Sequence, residues 1–347
     1  MHEFIRDALS RFGCVAEAPP ALIGAGTLNH NYLVRTERGP FVLRRIRDDQ
    51  PDAQVALEHE TIRWVGARGM PVPVPLTPIV DAARTAGDEL PETCIRIESD
   101  GSDGATEVSR WALFPFVDGR RVRRGYLDES RAAALGDVHG RLHALLHEHP
   151  RTCEATFTMQ WSVEQSAAAL GRIDSAARAS GASAEALDGI ALQRRLLEAF
   201  PVRPPSAFAG LPCQWLHGDF HVEQALFGGE SSIVALLDWE LCQGNARAWE
   251  LVRSLSFSGL LDGDPLDAAY LRAYRQWVPI DRDELTLGLW LWWQSRVVGV
   301  WVWWAAFVAG NARVHALIPD TVATLHCIAA SGWCETMTQR ILTAARL

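Results

Sequence analysis

The chain has 347 residues, which is enough for two ordinary domains and a substantial hydrophobic core. Its apolar fraction of 48% and charged fraction of 22% are typical of a soluble globular protein. The net charge of −9 argues against nucleic acid as the main partner, because binding to phosphate backbones is driven chiefly by clustered Lys and Arg.

The seven cysteines and the N-terminal sequence predict a reduced, cytoplasmic protein. The cysteines are scattered and odd in number, with no Cys-x-x-Cys pair, so neither a zinc site nor a disulfide framework is indicated. The chain begins Met-His-Glu-Phe-Ile-Arg-Asp, which lacks the basic and apolar layout of a signal peptide.

The N-terminal third predicts an antiparallel sheet with one or two helices. Apolar residues recur at helical spacing over 2–13, and a second helix is expected around 56–65. Turn-rich segments separate the extended pieces, and a polar stretch at 89–109 predicts two strands joined by a mobile hairpin tip. The other strands are expected at 21–23, 31–35, 41–46 and from 111 to a break at Pro115. This region is expected to end near residue 117.

The remainder of the chain is predicted to be mostly helical. Apolar spacing favours helices at 129–146, 163–180, 184–200, 265–277, 285–309 and 319–344. The first of these carries His139 and His143, which we interpret as core or surface residues. Six of the fourteen tryptophans lie in 285–310, but Gln294, Ser295 and Arg296 interrupt that stretch, so a buried helix is favoured over a membrane span of ~20 residues. No membrane partner is therefore expected.

Two short apolar runs in the middle of this helical region each end near an acidic residue. The sequence Trp-Leu-His217-Gly-Asp219 follows the first run, and Asp238-Trp-Glu240 follows the second, 19 residues after Asp219. Two buried strands that end in carboxylates can direct both into one cleft. Phosphoryl transfer needs that arrangement, because one carboxylate orients the attacking hydroxyl and another holds a divalent metal. Asp219 is the candidate for the first role and Asp238 for the second.

These residues resemble the His-x-Asp-x-x-x-x-Asn and Asp-Trp/Phe-Glu motifs of the aminoglycoside phosphotransferase and choline kinase-like enzymes, relatives of the protein kinases. The resemblance extends to the homoserine kinase type II branch. It implies an α+β, protein kinase-like, two-lobed fold. A small N-terminal antiparallel sheet lobe (1–116) would bind the nucleotide, and a larger, mostly helical C-terminal lobe (117–347) would carry catalysis and acceptor binding.

The resemblance also implies roles for residues around the two carboxylates. Asp219 would be the catalytic carboxylate, and His217 would shape the catalytic loop through backbone hydrogen bonds. The metal ligands would be Asp238, Glu240 and Gln224. Gln224 stands where the family has Asn, so the number of bound metal ions, one or two, stays open. A Gly-x-x-Arg-x-x-Asp-Leu pattern follows, in which Arg247 is expected to pair with Glu250 and hold the metal loop.

The nucleotide contacts implied by the resemblance lie before residue 117. A glycine loop between strands covers the phosphates in the related kinases, whereas taken alone it would be an ordinary hairpin. A basic residue on the third strand, Arg44 or Arg45, would contact the α- and β-phosphates in place of the usual Lys. Glu58 or Glu60 on the next helix would hold this arginine side chain. The residues assigned to the nucleotide are Gly24, Gly26, Thr27, Asn29, Arg44, Glu58 and, at the interlobe hinge, Phe114 and Phe116.

The function implied is transfer of the γ-phosphoryl group of ATP or GTP, with Mg²⁺, to a hydroxyl of a small molecule of the amino alcohol, aminosugar or aminoglycoside type. The alternative is a catalytically weak pseudokinase that binds a nucleotide or a partner protein, suggested by Gln224 and Arg44 departing together from the family pattern. Phosphorylation of protein serine is less favoured, because no Ala-Pro-Glu segment follows Asp238. The tryptophan-rich segment either lines the acceptor pocket or packs in the core. The sequence leaves the acceptor and the oligomeric state open.

Overall fold

The computed structural model describes residues 2–24, 29–79, 90–100, 106–151 and 162–347 and divides the chain into two compact units. The first unit contains the residues up to 122 together with His217–Asp219 and Glu223–Cys242, and the second contains the others. Gly26, Thr27 and the predicted hairpin tip at 101–104 lie outside the described residues. The lobe boundary after residue 116 stays a prediction.

The elements confirm the predicted α+β class. The strands are β1 (Ala21–Ile23), β2 (His30–Thr36), β3 (Gly39–Ile46), β4 (Cys94–Asp100), β5 (Thr106–Pro115), β6 (Arg120–Arg121), β7 (Cys213–Leu216), β8 (Ala225–Gly228), β9 (Ser232–Leu236) and β10 (Gln243–Ala246). The helices are α1 (His2–Arg11), α2 (Asp52–Gly66), α3 (Glu129–Leu146), α4 (Val163–Ala179), α5 (Ala184–Ala199), α6 (Arg247–Phe257), α7 (Pro265–Tyr274), α8 (Arg282–Val298), α9 (Trp301–Trp303), α10 (Ile318–Ala329) and α11 (Trp333–Ala344).

A five-stranded antiparallel sheet organises the first unit, in the order β1-β2-β3-β5-β4. Successive side chains of a strand point to opposite faces, so each strand serves two layers. Leu43 of β3 and Trp111 of β5 lie in the core that α1 closes, through apolar side chains such as Leu9. Arg44 and Phe114 therefore face the other side of the sheet, where the guanidinium carbon of Arg44 lies 4.9 Å from the Phe114 ring.

Helices α3 and α7 approach each other closely in the second unit, because two glycines of α3 face two tyrosines of α7. A Cβ atom at Gly136 would lie 2.2 Å from the carbonyl oxygen of Tyr270, and one at Gly140 would lie 2.6 Å from that of Tyr274. Both distances are far below van der Waals contact, so no side chain fits at either glycine without separating the helices.

A fully buried polar network joins α3, α6 and α7 at this contact. His143 Nε2 lies 2.8 Å from Glu250 Oε2, and His139 Nε2 lies 2.9 Å from His143 Nε2. The Nδ1 atoms of the two histidines lie 2.6 Å and 2.8 Å from the hydroxyls of Tyr270 and Tyr274. Burial alone would raise the pKa of Glu250, but the hydrogen bonds from the two histidines outweigh it and hold that pKa below its usual range.

The network corrects the expected pairing of Arg247 with Glu250. Arg247 instead donates two hydrogen bonds of 2.7 Å and 2.8 Å to the carboxylate of Glu284 on α8. The resemblance therefore assigned the wrong partner to each of these two charged residues. The repeat Gly-x-x-His-Gly-x-x-His in α3 is the sequence signal for the network, because it places two glycines and two histidines one helical turn apart.

Replacing Glu250 with Gln is expected to lower the free energy of unfolding by about 3 kcal/mol, because the buried histidines lose their ionised partner. Equilibrium urea unfolding measures the change. Glu198→Gln, at an exposed position of α5, is the matched control and is expected to leave stability unchanged within ~0.5 kcal/mol. Equal stability of the two variants would show that the network contributes nothing.

Two predicted helices are each divided by a glycine. The helix expected at 285–309 ends at Val298, because Gly299 adopts an extended backbone (φ −73°, ψ 115°). The helix expected at 319–344 is interrupted at Gly332, whose φ of +71° is left-handed. Among the helices of the described ranges, none is both long enough and apolar enough to cross a membrane.

Candidate active site

The His217-Gly218-Asp219 turn is fixed to the end of β9 by the buried His217 side chain. Its Nε2–H donates to the carbonyl oxygen of Leu237 at 2.9 Å, while its Nδ1 accepts from the Asp219 N–H at 3.2 Å. The Trp239 ring packs 4.3 Å from the imidazole. Both ring nitrogens therefore serve the loop backbone, which is the type of contact expected for His217. Its catalytic importance stays a prediction.

Gly218 is required by the close approach of the backbone in this turn. Its φ is +85°, in the left-handed region, and a Cβ atom there would lie 1.8 Å from the carbonyl oxygen of Leu241. No side chain fits without displacing that backbone. The absence of a side chain at Gly218 thus allows the turn to hold Asp219 near the loop after β9.

The carboxylates of Asp219 and Asp238 meet at one side chain, Gln224. Its amide nitrogen donates to Oδ2 of Asp219 and to Oδ2 of Asp238, each at 3.2 Å. Since both oxygens contact the same nitrogen, they are at most twice that distance apart. The structure thus brings together the three residues that the sequence motif selected.

Asp238 is held in an unusual backbone conformation. Its φ of +63° is left-handed, a region that costs most residues roughly 1–2 kcal/mol and that Asp tolerates better than most. The preceding residues are fixed on both sides: the Leu237 N–H donates to the Gln224 carbonyl at 2.8 Å, and the Leu236 N–H donates to the Pro71 carbonyl at 2.7 Å. The neighbouring backbone therefore imposes the turn that presents this carboxylate.

Glu240 lies beside this pair and is largely buried. Its Oε2 accepts a hydrogen bond of 2.9 Å from the Asn29 side chain, and its backbone carbonyl accepts one of 2.8 Å from Gln54 of α2. Burial, and then the negative charge of Asp238, raise the pKa of Glu240 to about 7. A cation placed here would relieve that crowding of negative charge.

The oxygen-rich character of these side chains fits a hard divalent cation. Asp238 and Glu240 supply carboxylate oxygens, and Gln224 supplies an amide oxygen, which are the ligand types that Mg²⁺ takes in proteins. Burial beside Asp238 raises the pKa of Glu240, so a cation bound next to these two carboxylates would stabilise their charged forms. The donor set and the electrostatics therefore fit the metal site that the resemblance implied.

Arg44 of β3 pairs with Glu58 of α2 on the face of the sheet away from α1. The guanidinium Nη1 donates to Glu58 Oε1 at 2.7 Å, and Nε donates to Asn31 Oδ1 at 3.2 Å. Burial raises the pKa of Glu58 above its usual value, against the opposing charge of Arg44. Of the open alternatives, Arg45 approaches Asp48 at 3.9 Å and Glu60 is exposed. The buried ion pair is thus Arg44–Glu58, whereas phosphate contact stays a prediction.

The other residues assigned to the nucleotide are placed as follows. Gly24 lies in an exposed turn after β1, and Asn29 is buried, with its Oδ1 accepting from the Arg47 N–H at 3.0 Å. Phe114 is buried, with its ring 5.5 Å from His59, while Phe116 is 38% exposed. Their nucleotide contacts stay predictions.

Comparison with solved structures identifies the fold. Structures with the same fold include a microcompartment-associated aminopropanol kinase, with 15% identity, a TM-score of 0.57 and coverage of 99% of this chain and 98% of that one. Amicoumacin kinase in complex with AMP-PNP and Ca²⁺ has 15% identity, a TM-score of 0.56 and 92% coverage of each chain. Spectinomycin phosphotransferase in complex with ADP and spectinomycin has 12% identity, a TM-score of 0.56 and coverage of 100% and 99%. These neighbours confirm the protein kinase-like α+β fold.

The sequence comparisons give the family. No curated protein matches the chain significantly. The APH family profile, described as the phosphotransferase enzyme family, matches residues 21–287. This match confirms the resemblance drawn from the motifs around Asp219 and Asp238. Because the profile spans most of the sequence, the chain belongs to the phosphotransferase enzyme family, whose members are small-molecule kinases that phosphorylate hydroxyl groups.

Proposed function

We propose that this enzyme transfers the γ-phosphoryl group of ATP or GTP to a hydroxyl of a small molecule of the amino alcohol, aminosugar or aminoglycoside type. The observation that carries the proposal is the meeting of the Asp219 and Asp238 carboxylates at the Gln224 amide. Two carboxylates held together in this way suit phosphoryl transfer, in which one acts on the acceptor and the other on the nucleotide through a metal.

Asp219 is the residue proposed to act on the acceptor. Its carboxylate accepts a hydrogen bond from the attacking hydroxyl and orients the oxygen toward the γ-phosphorus. As the new O–P bond forms and the bond from the γ-phosphorus to the bridging oxygen breaks, the hydroxyl proton passes to Asp219 and the electron pair stays on the departing diphosphate. Proton transfer is late in a loose transition state, so orientation is the larger part of the role.

Asp238, Gln224 and Glu240 are proposed to hold Mg²⁺. Bound Mg²⁺ would supply positive charge that neutralises the phosphate oxygens during transfer. Gln224 would bind the cation through its amide oxygen, so its amide would turn from the orientation in which the nitrogen donates to both carboxylates. The backbone contacts around Asp238 keep its carboxylate in place for this exchange.

Arg44 is proposed to contact the α- and β-phosphates, with Glu58 holding its guanidinium. Burial alone would lower the pKa of Arg44, but the charges of Glu58 and Asp238 outweigh it and keep the side chain cationic. The glycine loop at Gly24, Gly26, Thr27 and Asn29 is proposed to cover the phosphates, and the Phe114–Phe116 segment to meet the base.

Replacing Glu58 with Gln is expected to raise the KM for the nucleotide about tenfold, because Arg44 loses a charge-assisted hydrogen bond of the kind that contributes roughly 1.5–3 kcal/mol. Steady-state kinetics at saturating acceptor measures the change. The matched control is Glu60→Gln, two residues along the same helix and exposed, which is expected to leave KM unchanged. A similar KM for the two variants would remove Glu58 from nucleotide binding.

The proposal is tested by nucleotide turnover. Release of ADP or GDP is measured with and without Mg²⁺ across a panel of amino alcohols, aminosugars and aminoglycosides. Magnesium-dependent release with at least one acceptor, together with the phosphorylated acceptor by mass spectrometry, is the expected result. Nucleotide binding without turnover on any hydroxyl compound would instead assign the chain to the pseudokinases.

The proposed location of the enzyme is the cytoplasm. The six cysteines in the described part of the chain are all free thiols, four of them buried. Free thiols suit a reducing compartment.

A further inference from the structure

Helices α6 and α8 of the second unit bring two arginines together around one phenylalanine. Trp249, Arg253 and Phe257 are spaced four residues apart and share one face of α6. Trp292 and Arg296 share a face of α8 in the same way. We call these five residues the Phe257 cluster.

The rings and guanidinium groups of the Phe257 cluster are in mutual contact. The guanidinium carbon of Arg253 lies 4.5 Å from the centre of the Phe257 ring, and that of Arg296 lies 5.8 Å from it. Trp292 packs edge-on against the same phenylalanine at 5.4 Å and lies 5.6 Å from the Arg296 guanidinium. Both arginines are half-buried, so two cationic groups with directional N–H donors are held at one partly desolvated place.

The electrostatics of this cluster favour an added negative charge. Burial, and then the positive charges of Arg253 and Arg124, lower the pKa of Arg296 to about 10 against the opposing negative charge of Asp320. A guanidinium whose charged form is disfavoured by its surroundings gains when an anion binds beside it. An ammonium group at the same place would add to the repulsion.

Trp249 carries an unused hydrogen-bond donor at the same cluster. Its indole Nε1–H is buried and, among the residues that the structure describes, has no acceptor. The ring lies 5.8 Å from the Arg253 guanidinium. A buried donor without a partner costs about 1–3 kcal/mol, and an oxyanion bound next to the ring would satisfy it.

The Phe257 cluster also contacts the segment that follows the catalytic aspartate. The His221 ring lies 5.7 Å from the Phe257 ring, in the same compact unit. His221 is two residues after Asp219, and two residues of chain span at most about 7 Å. The cluster therefore contacts a residue that lies only two positions after Asp219 in the chain.

We propose that Arg253 and Arg296, with His221 and the Trp249 indole N–H, bind an anionic group of the acceptor, so that the phosphorylated hydroxyl belongs to a compound that also carries a carboxylate or a phosphate. This inference rests on the proposed function and narrows its acceptor class. The recognition is directional, because a planar guanidinium matches two oxygens of a carboxylate or phosphate.

Matched acceptors test the sign of the charge. Hydroxybutanoate is compared with aminobutanol, and gluconate with glucosamine, by magnesium-dependent release of ADP. The acidic member of each pair is expected to have a kcat/KM at least about tenfold higher, in line with a charge-assisted hydrogen bond. Butanoate, which has no hydroxyl, is expected to inhibit competitively against the acceptor, whereas butylamine is not. Glycerol phosphate against glycerol distinguishes a phosphate from a carboxylate as the bound group.

Two variants test the residues. Arg253→Gln and Arg296→Gln are each expected to raise the KM for the acidic acceptor about ten- to a hundredfold while the KM for the nucleotide is unchanged. Trp249→Phe keeps an aromatic ring at this position but removes the indole N–H together with the pyrrole ring, so it gives a smaller increase even if the arginine variants fold poorly. The matched control is Arg172→Gln, since Arg172 lies 4.8 Å from the Trp304 ring outside the cluster and is exposed.

The outcomes separate this inference from the proposed function. If the amines are phosphorylated as well as the acids, or if the arginine variants raise only the nucleotide KM, the anionic acceptor site is overturned while the kinase activity stands. Loss of thermal stability with unchanged acceptor KM would mean that the arginines only pack against the rings, and it also overturns the site. If no hydroxyl compound of either class is phosphorylated, the proposed function itself fails.

Discussion

The Asp219→Asn variant is expected to bind nucleotide as tightly as the unchanged enzyme and to lose about a thousandfold in kcat, within the range found for removal of a general base. The amide cannot accept the hydroxyl proton, and it presents an N–H where the acceptor hydroxyl needs an acceptor atom. The side chain has nearly the same volume, so the loop that His217 fixes is expected to persist. Single-turnover kinetics with saturating acceptor measures the loss directly.

The control for this variant is Glu230→Gln, which changes a carboxylate to an amide at an exposed turn between β8 and β9. It is expected to keep full activity. A kcat for Asp219→Asn within about fivefold of the control would contradict the assigned role, since general base catalysis supplies at least ~10²-fold. Unchanged nucleotide affinity, measured by calorimetry, separates a chemical defect from a folding defect.

The fold of the first unit could be predicted in detail because its signals are local. Alternating apolar residues and turn-rich joints identify β1, β2 and β3 to within one or two residues. In the second unit, apolar spacing likewise gives α3 with both ends correct. Turn glycines such as Gly39 mark the strand ends for a physical reason, namely a positive φ of +109°. Local chemistry of this kind does not depend on distant residues.

The meeting of Asp219 and Asp238 could be predicted, but the route by which they meet could not. The sequence predicted two buried strands that end in carboxylates, and these strands belong to separate sheets, in which β7 pairs with β10 and β9 pairs with β8. The two loops that carry Asp219 and Asp238 are joined by contacts of the His217 imidazole and the Gln224 amide. Strand pairing depends on contacts between distant residues, which one sequence does not reveal. A motif, in contrast, indicates directly which residues the reaction needs close together.

The residues that sequence reasoning missed act through contacts between distant helices. Arg247 lies 37 positions from its partner Glu284, and His143 lies 107 positions from Glu250. Arg253 and Arg296 come together only because α6 packs against α8. Periodicity indicates that such helices have a buried face, but which helices share it is decided by the packing of the whole unit.

Replacing Asp238 with Ala is expected to abolish magnesium-dependent nucleotide binding and to lower kcat/KM by about a thousandfold or more, because the transferred phosphate loses the electrostatic stabilisation that dominates this chemistry. The change also removes one of the two carboxylates that accept from Gln224, so Asp219 keeps that hydrogen bond. Calorimetric titration of nucleotide with and without Mg²⁺ measures the coupling between metal and nucleotide. A loss of that coupling is the expected result.

Two further variants make the assignment of Asp238 specific. Asp238→Asn keeps the size and one oxygen ligand, so it is expected to bind the metal more weakly rather than not at all. Gln224→Asn shortens the amide by one methylene and is expected to change the metal requirement without removing it. If Asp238→Ala retains magnesium-dependent binding while Gln224→Asn loses it, the metal is held by the amide side of the site and the assignment of Asp238 is wrong. If both variants keep the full coupling, the metal does not bind at these residues, and the strained backbone of Asp238 serves only to shape the loop.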